Sequence, residues 1–373
     1  MHIFSCPNPG YPEKIHLIDS LWPSRRQKVD TFNENTYAAY FQFLLHSLST
    51  LESYSNDFAV QDIKGIHLII RRLSRNPRMT RNDVKKSIRR DFLNTENKKI
   101  HRSIEFAVSL WLGLKLSSHL LHTGPAVAGD TTIEWPPNQD LQTTVDAEFD
   151  RLISKTVYTE FVLDHSLTYE RLLKYRQVRI IWTNNLIDHL KLEGHRGQRA
   201  LWIYQHRVCL ENHLRCSKGE PRHIIRQEAL LEAIRTLDLL FPFGDPQTAR
   251  FLAKEGRQNL YVPPCRDTAH LQSLSHFKYW NGRLAQLLNL YQGPPESKWQ
   301  YFRDHRNFGQ WASLWLAIFL VAFITIVFGV LSSYFAAKSA KLSEQANWIA
   351  IAASCVENPD NKIFKCDKLS LSN

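Results

Sequence analysis

Asn307–Ala337, NFGQWASLWLAIFLVAFITIVFGVLSSYFAA, is 31 residues long without a charged side chain, and Leu314–Leu331 inside it is apolar apart from Thr325. A helix over Trp311–Tyr334 is about 36 Å long, enough to cross a hydrocarbon core of about 30 Å with some tilt. The 13 Leu, Ile, Val and Phe side chains in the centre contribute about −4 to −8 kcal/mol to insertion, with no charge opposing it. We therefore read 311–334 as a transmembrane helix and the chain as a single-pass integral membrane protein. Residues 338–373 follow as a short C-terminal tail.

Charges beside the span set the expected orientation. Arg283, Lys298, Arg303 and Arg306 lie before it, and Lys338 and Lys341 lie after it close to Glu344. The excess on the N-terminal side places the large body in the cytosol. MHIFSCPNPGYPEKIH, at the start, lacks the apolar core of a secretory signal, which fits synthesis of the body on that side. Aromatic and basic residues are expected at the two membrane interfaces: Lys298, Trp299, Arg303, Arg306 and Trp311 at one, Tyr334 and Lys338 at the other.

The six cysteines, Cys6, Cys209, Cys216, Cys265, Cys355 and Cys366, form no disulfide framework for the body. Cys355 and Cys366 share the tail and could pair in an oxidising compartment, or both remain thiols.

The net charge of +11 is local. Arg71, Arg72, Arg75, Arg78, Arg81, Lys85, Lys86, Arg89 and Arg90, with Lys98, Lys99 and Arg102, face only Asp83, Asp91 and Glu96 within the same stretch. Such a run suits an acidic partner: an anionic membrane surface, nucleic acid or an acidic protein. For a tethered chain the membrane surface is the simplest, since each Lys or Arg near anionic lipid contributes about 1 kcal/mol. A solvated helical surface with no partner is the plain alternative.

Apolar periodicity makes the body mainly α-helical with a minor α+β component. Tyr37, Tyr40, Phe41, Leu44, Leu45 and Leu48 mark one helix; Ile63, Ile66, Ile69, Ile70 and Leu73 a second. Thr80, with Asp83 three residues on, caps a third bearing Val84 and Ile88. Ile100, Ile104, Val108, Trp111 and Leu112 mark another, followed by strands at Leu114–Leu116 and Thr132–Trp135. Helices then strands recur: Leu141, Val145, Phe149 and Leu152; a short helix capped by Thr168; a third helix through Trp182, Leu186, Ile187 and Leu190; and a hairpin of Leu190–Leu192 and Ala200–Tyr204 around Gly194 and Gly197.

We thus expect two winged-helix-like units, 55–137 and 138–207, or else a single irregular α+β domain. Residues 1–54 are an N-terminal lead and helix, and 208–300 a further helical region.

LIDSLWP at Leu17–Pro23, SIEFAVSLWLGLKL at Ser103–Leu116, IIWTNNLIDHLKL at Ile180–Leu192, LLEAIRTLDLLFP at Leu230–Pro242 and FKYWNGRLAQLLNLY at Phe277–Tyr291, followed by one span, resemble a large family of uncharacterised filamentous-fungal membrane proteins. The resemblance covers nearly the whole chain and implies a fungal, membrane-anchored product. It brings no activity, cofactor or catalytic residue with it. The tail segment SSYFAAKSAKLSEQANWIAIAASC departs from many relatives.

Motifs that carry chemistry are weak. His206, Cys209, His213 and Cys216 share one helical face, but the outer pair would be about 15 Å apart, and zinc needs bonds of about 2.0–2.3 Å. Gly194 and Gly197 lack the Lys-Ser/Thr of a phosphate loop, and no Ser lies in a Gly-x-Ser-x-Gly elbow. We expect no cofactor and no metal. The reading is an interaction or adaptor module tethered by one span, with an unidentified protein partner and anionic headgroups as contacts. The alternatives are a nucleic-acid-binding winged-helix protein held at a membrane, or an unrecognised enzyme.

Overall fold

Helix starts in the body are set by short polar side chains that accept from the first free N–H groups. Asn33 caps α2 (Glu34–Ser53), Asp62 caps α3 (Ile63–Arg75) and Thr80 caps α4 (Arg81–Arg89). Asp140 caps α6 (Leu141–Leu152), Thr168 caps α7 (Tyr169–Arg176), and Asp245 with Pro246 opens α10 (Pro246–Lys254). The remaining body helices are α1 (Tyr11–Leu21), α5 (Asn97–Leu112), α8 (Arg207–Cys216), α9 (Gln227–Leu240) and α11 (Asn281–Gln292). This computed structural model describes residues 11–22, 33–92, 95–117, 129–153, 163, 167–195, 197–216, 224–264, 273–293 and 308–357.

The chain divides into two units, Met1–Pro294 and Pro295–Asn373. In the first, one connected apolar core runs from Ile15 to Tyr291. α3 buries Ile63, Ile66, Ile69, Ile70 and Leu73, α4 buries Val84 and Ile88, and both pack on α5. The N-terminal lead, to which the sequence assigned no element, carries a helix: α1 buries Ile15, Ile18 and Leu21.

The strands differ from the winged-helix expectation. β1 (Leu116–Ser117) and β2 (Ile133–Glu134) form a parallel pair, so the antiparallel ribbon expected after α5 is not made. Further on, the expected hairpin is present as β4 (Leu192–Glu193) and β5 (Ala200–Tyr204), antiparallel with Leu192 opposite Leu201. Yet β5 also pairs in parallel with β3 (Arg179–Thr183), from Arg179 opposite Ala200 to Thr183 opposite Tyr204. The expected helix through Trp182 is thus a strand followed by a short turn of helix at Leu186–Asp188. Apolar residues at 182, 186, 187 and 190 satisfy helical spacing, but Arg179–Thr183 gains a full ladder with a buried neighbour, and that decides it.

Two residues hold the sheet against the helices. Gly113 ends α5 at φ +62°, its carbonyl accepts from Leu186 N–H (2.8 Å), and the Tyr204 ring packs where a side chain would stand. Asn185 ties three segments: its Nδ2 donates to Asp188 Oδ2 and the Thr131 carbonyl (both 2.7 Å), and its Oδ1 accepts from Lys115 N–H (3.3 Å).

The second unit contains α12 (Phe308–Glu357), 50 residues in one helix. It is long and apolar enough to cross a membrane, and its apolar window buries nothing within the chain. The helix does not stop after Tyr334 but continues through Lys338, Lys341 and Glu344. Ala336, Ala337, Ala340, Ala346, Ala350, Ala352 and Ala353 favour helix, and no Gly or Pro interrupts between Gly329 and Pro359. The tail therefore begins as a rod.

Candidate functional site

The basic stretch becomes one helix–turn–helix surface. Burial of the apolar stripes of α3 and α4 turns their basic residues outward, and Arg71, Arg75, Arg78, Lys86, Arg89 and Arg90 are exposed, with Lys85 half-buried. Arg72 joins the two helices: Nη2 donates to Asp91 Oδ2 (2.8 Å) and Nη1 to the Ser87 carbonyl (3.1 Å). Arg81 leaves the surface altogether. It is buried, donates to Glu105 Oε1 (2.9 Å) and to the Trp135 carbonyl (2.9 Å), and burial lowers its pKa while Glu105 opposes that shift. Position 81 is the first residue of α4, where the chain turns inward, so Arg81 is a structural cation and not a contact residue.

Of the expected interface residues, Tyr334 and Lys338 lie exposed on α12. Lys298, Trp299, Arg303 and Arg306 lie outside the described residues, as does the side chain of Trp311. Cys355 is disulfide-bonded, whereas Cys209 is a buried free thiol. Cys366, the partner expected from sequence, lies outside the described residues.

The four residues considered for zinc take separate roles. His206 donates from Nε2 to Asn184 Oδ1 (2.7 Å), and burial, reinforced by Arg257, pushes its pKa down to about 3. Burial holds the Cys209 thiol well above its usual range. His213 Nε2 lies 2.9 Å from the Trp111 carbonyl. Among the described residues no three His, Cys, Asp or Glu side chains converge as metal ligands.

A cavity of about 270 Å³ lies elsewhere, between α2, α5 and the ends of β1 and β3. Phe43, Ser47 and Thr50 share one face of α2; Glu105, Phe106 and Ser109 share one face of α5; Phe58 closes the wall between them. Lys115, Asp130 and Asn184 supply its polar side, and Lys115 Nζ pairs with Asp130 Oδ2 at 2.8 Å. Asn184 Oδ1 accepts from both Gln205 Nε2 (2.6 Å) and His206 Nε2, which fixes the amide. Apart from His206, none of these residues was singled out from sequence. The available signals were Glu105, a lone acid inside the apolar run SIEFAVSLW, and the Asn184–Asn185 pair directly after a β-branched stretch.

In comparisons with known proteins, no family model, curated protein or solved structure matches this chain.

Proposed function

We propose that the chain is a membrane-tethered interaction or adaptor module whose α3–α4 surface meets an anionic partner, the headgroups of the cytosolic leaflet. The single observation that carries this reading is the segregation of charge: Arg71, Arg78, Lys86, Arg89 and Arg90 are exposed together while Val84, Ile88 and the α3 isoleucines face inward. A chain held at a bilayer by α12 meets such a surface at high effective concentration. The contrast between disulfide-bonded Cys355 and the free thiol of Cys209 supports a tail in an oxidising compartment and a body in a reducing one. That orientation agrees with the excess of basic residues before the span.

Nucleic-acid binding is less well supported. A winged-helix reader inserts its third helix into the groove, but α5 buries Ile100, Ile104, Val108 and Trp111 in the core.

The test uses the full chain in phosphatidylcholine nanodiscs, mixed with vesicles of phosphatidylcholine alone or with 30% phosphatidylserine. Binding confined to the anionic vesicles, weakening with salt and lost on combined Arg78→Glu, Lys86→Glu, Arg89→Glu and Arg90→Glu, is the expected result. Equal binding to both vesicle types would refute the reading.

A further inference from the structure

We infer that the cavity between α2 and α5 binds a small, uncharged aromatic molecule with a hydrogen-bonding edge. Its size fits: about 270 Å³ lies just below the range of about 300–1,000 Å³ typical of drug-sized ligands, so the occupant is small.

The charges in the wall exclude ionic ligands. Asp130 is neutralised by Lys115 at 2.8 Å, and Glu105 by Arg81 at 2.9 Å behind it. Both pairs are largely shielded from water. An anion or a cation entering here would lose its hydration without finding an uncompensated counter-charge, which is costly. A neutral molecule loses far less.

Aromatic walls select a ring. Phe58 and Phe106 stand 5.4 Å apart between centroids and tilted by 58°, and Phe43 approaches from α2. That arrangement offers both edge and face to a guest ring, the geometries aromatic pairs prefer.

The hydrogen-bonding edge follows from Asn184. Its oxygen is already shared by Gln205 and His206, so the amide can act toward a guest only as a donor. The Asp130 carboxylate, held by Lys115, supplies an acceptor in the same lining. A lining that offers both a donor and an acceptor suits the C=O and N–H₂ of a primary amide or the edge of a nitrogen heterocycle.

Three isosteric probes separate ring recognition from charge: benzamide, benzoate and benzylammonium. Saturation-transfer NMR on the full chain in nanodiscs, with empty nanodiscs as background, gives the readout. Benzamide should receive saturation above background and the two ions should not displace it. Asn184→Ala, at an exposed position, should weaken benzamide by about fivefold, the worth of one hydrogen bond. Thr50→Phe, filling the cavity from a half-buried position on α2, should abolish it, with circular dichroism confirming the fold. No transfer to benzamide above background, displacement by either ion, or a signal indifferent to Asn184→Ala would each overturn the proposal.

Discussion

Arg81 Nη2 donates to Glu105 Oε1 across 2.9 Å inside the α3–α5 cluster, with both side chains less than a tenth exposed. Replacing Arg81 alone strands a carboxylate in the core. Arg81→Ala should therefore cost about 3–5 kcal/mol, whereas Arg81→Met combined with Glu105→Leu should recover most of it. Urea unfolding in detergent of the parent, Arg81→Met, Glu105→Leu and the double variant checks this; additive losses would mean that the pair is not coupled.

Gly113 allows no side chain. It sits at φ +62°, and a Cβ there would lie 2.2 Å from the Tyr204 hydroxyl. Gly113→Ala should destabilise the body by about 1–3 kcal/mol from backbone strain alone, and more where Tyr204 must move. A thermal melt of the body's near-ultraviolet signal would show it, and Gly256→Ala, where φ is also positive but nothing lies within 4 Å, should cost less.

Stability should fall with acid. His189 Nδ1 accepts from Tyr204 N–H (3.2 Å), so the proton sits on Nε2, which donates to Thr236 Oγ1 (2.6 Å). Burial, with Arg283 nearby, lowers the His189 pKa to about 3, and His206 is likewise held at about 3. Both groups are neutral when folded and bind a proton near pH 6.5 when unfolded. Their contribution is complete above pH 6.5 and is lost as pH falls from there toward 3, at up to about 1.4 kcal/mol per pH unit for each histidine. Unfolding midpoints at pH 7.5, 6.0 and 5.0 should decline in that order. Replacing His189 with Gln should flatten part of the slope.

The thiols should separate by chemistry. A thiol-reactive polyethylene glycol should modify Cys209 on denaturation without reductant, and Cys355 only after reduction. Cys355→Ser should release its partner sulfur, so that the variant shows one more modified thiol than the parent in the unreduced lanes and one fewer in the reduced lanes.

Much of the helical body was legible because caps and apolar stripes are local signals. Thr80 with Asp83, Asp140, and the α3 isoleucines each announce an element within a few residues of chain. β3 was not legible: RIIWT has strand-forming side chains, but its apolar residues continue at helical spacing, and its partner Ala200–Tyr204 lies some twenty residues on. The cationic surface could be found from charge density alone, yet Arg81 could not be told from its neighbours, because its carboxylate partner lies 24 residues away on another helix. For the same reason the cavity left little trace, since its walls come from α2, α5, the strands and the connections between them.

Because α12 runs unbroken from Phe308 to Glu357, a span over Trp311–Tyr334 would make the part beyond Tyr334 a lever whose fulcrum is the bilayer. Cys355 rides on it about 30 Å beyond Tyr334. A change of about 20° in the inclination of the helix about Tyr334 would sweep that cysteine about 10 Å sideways.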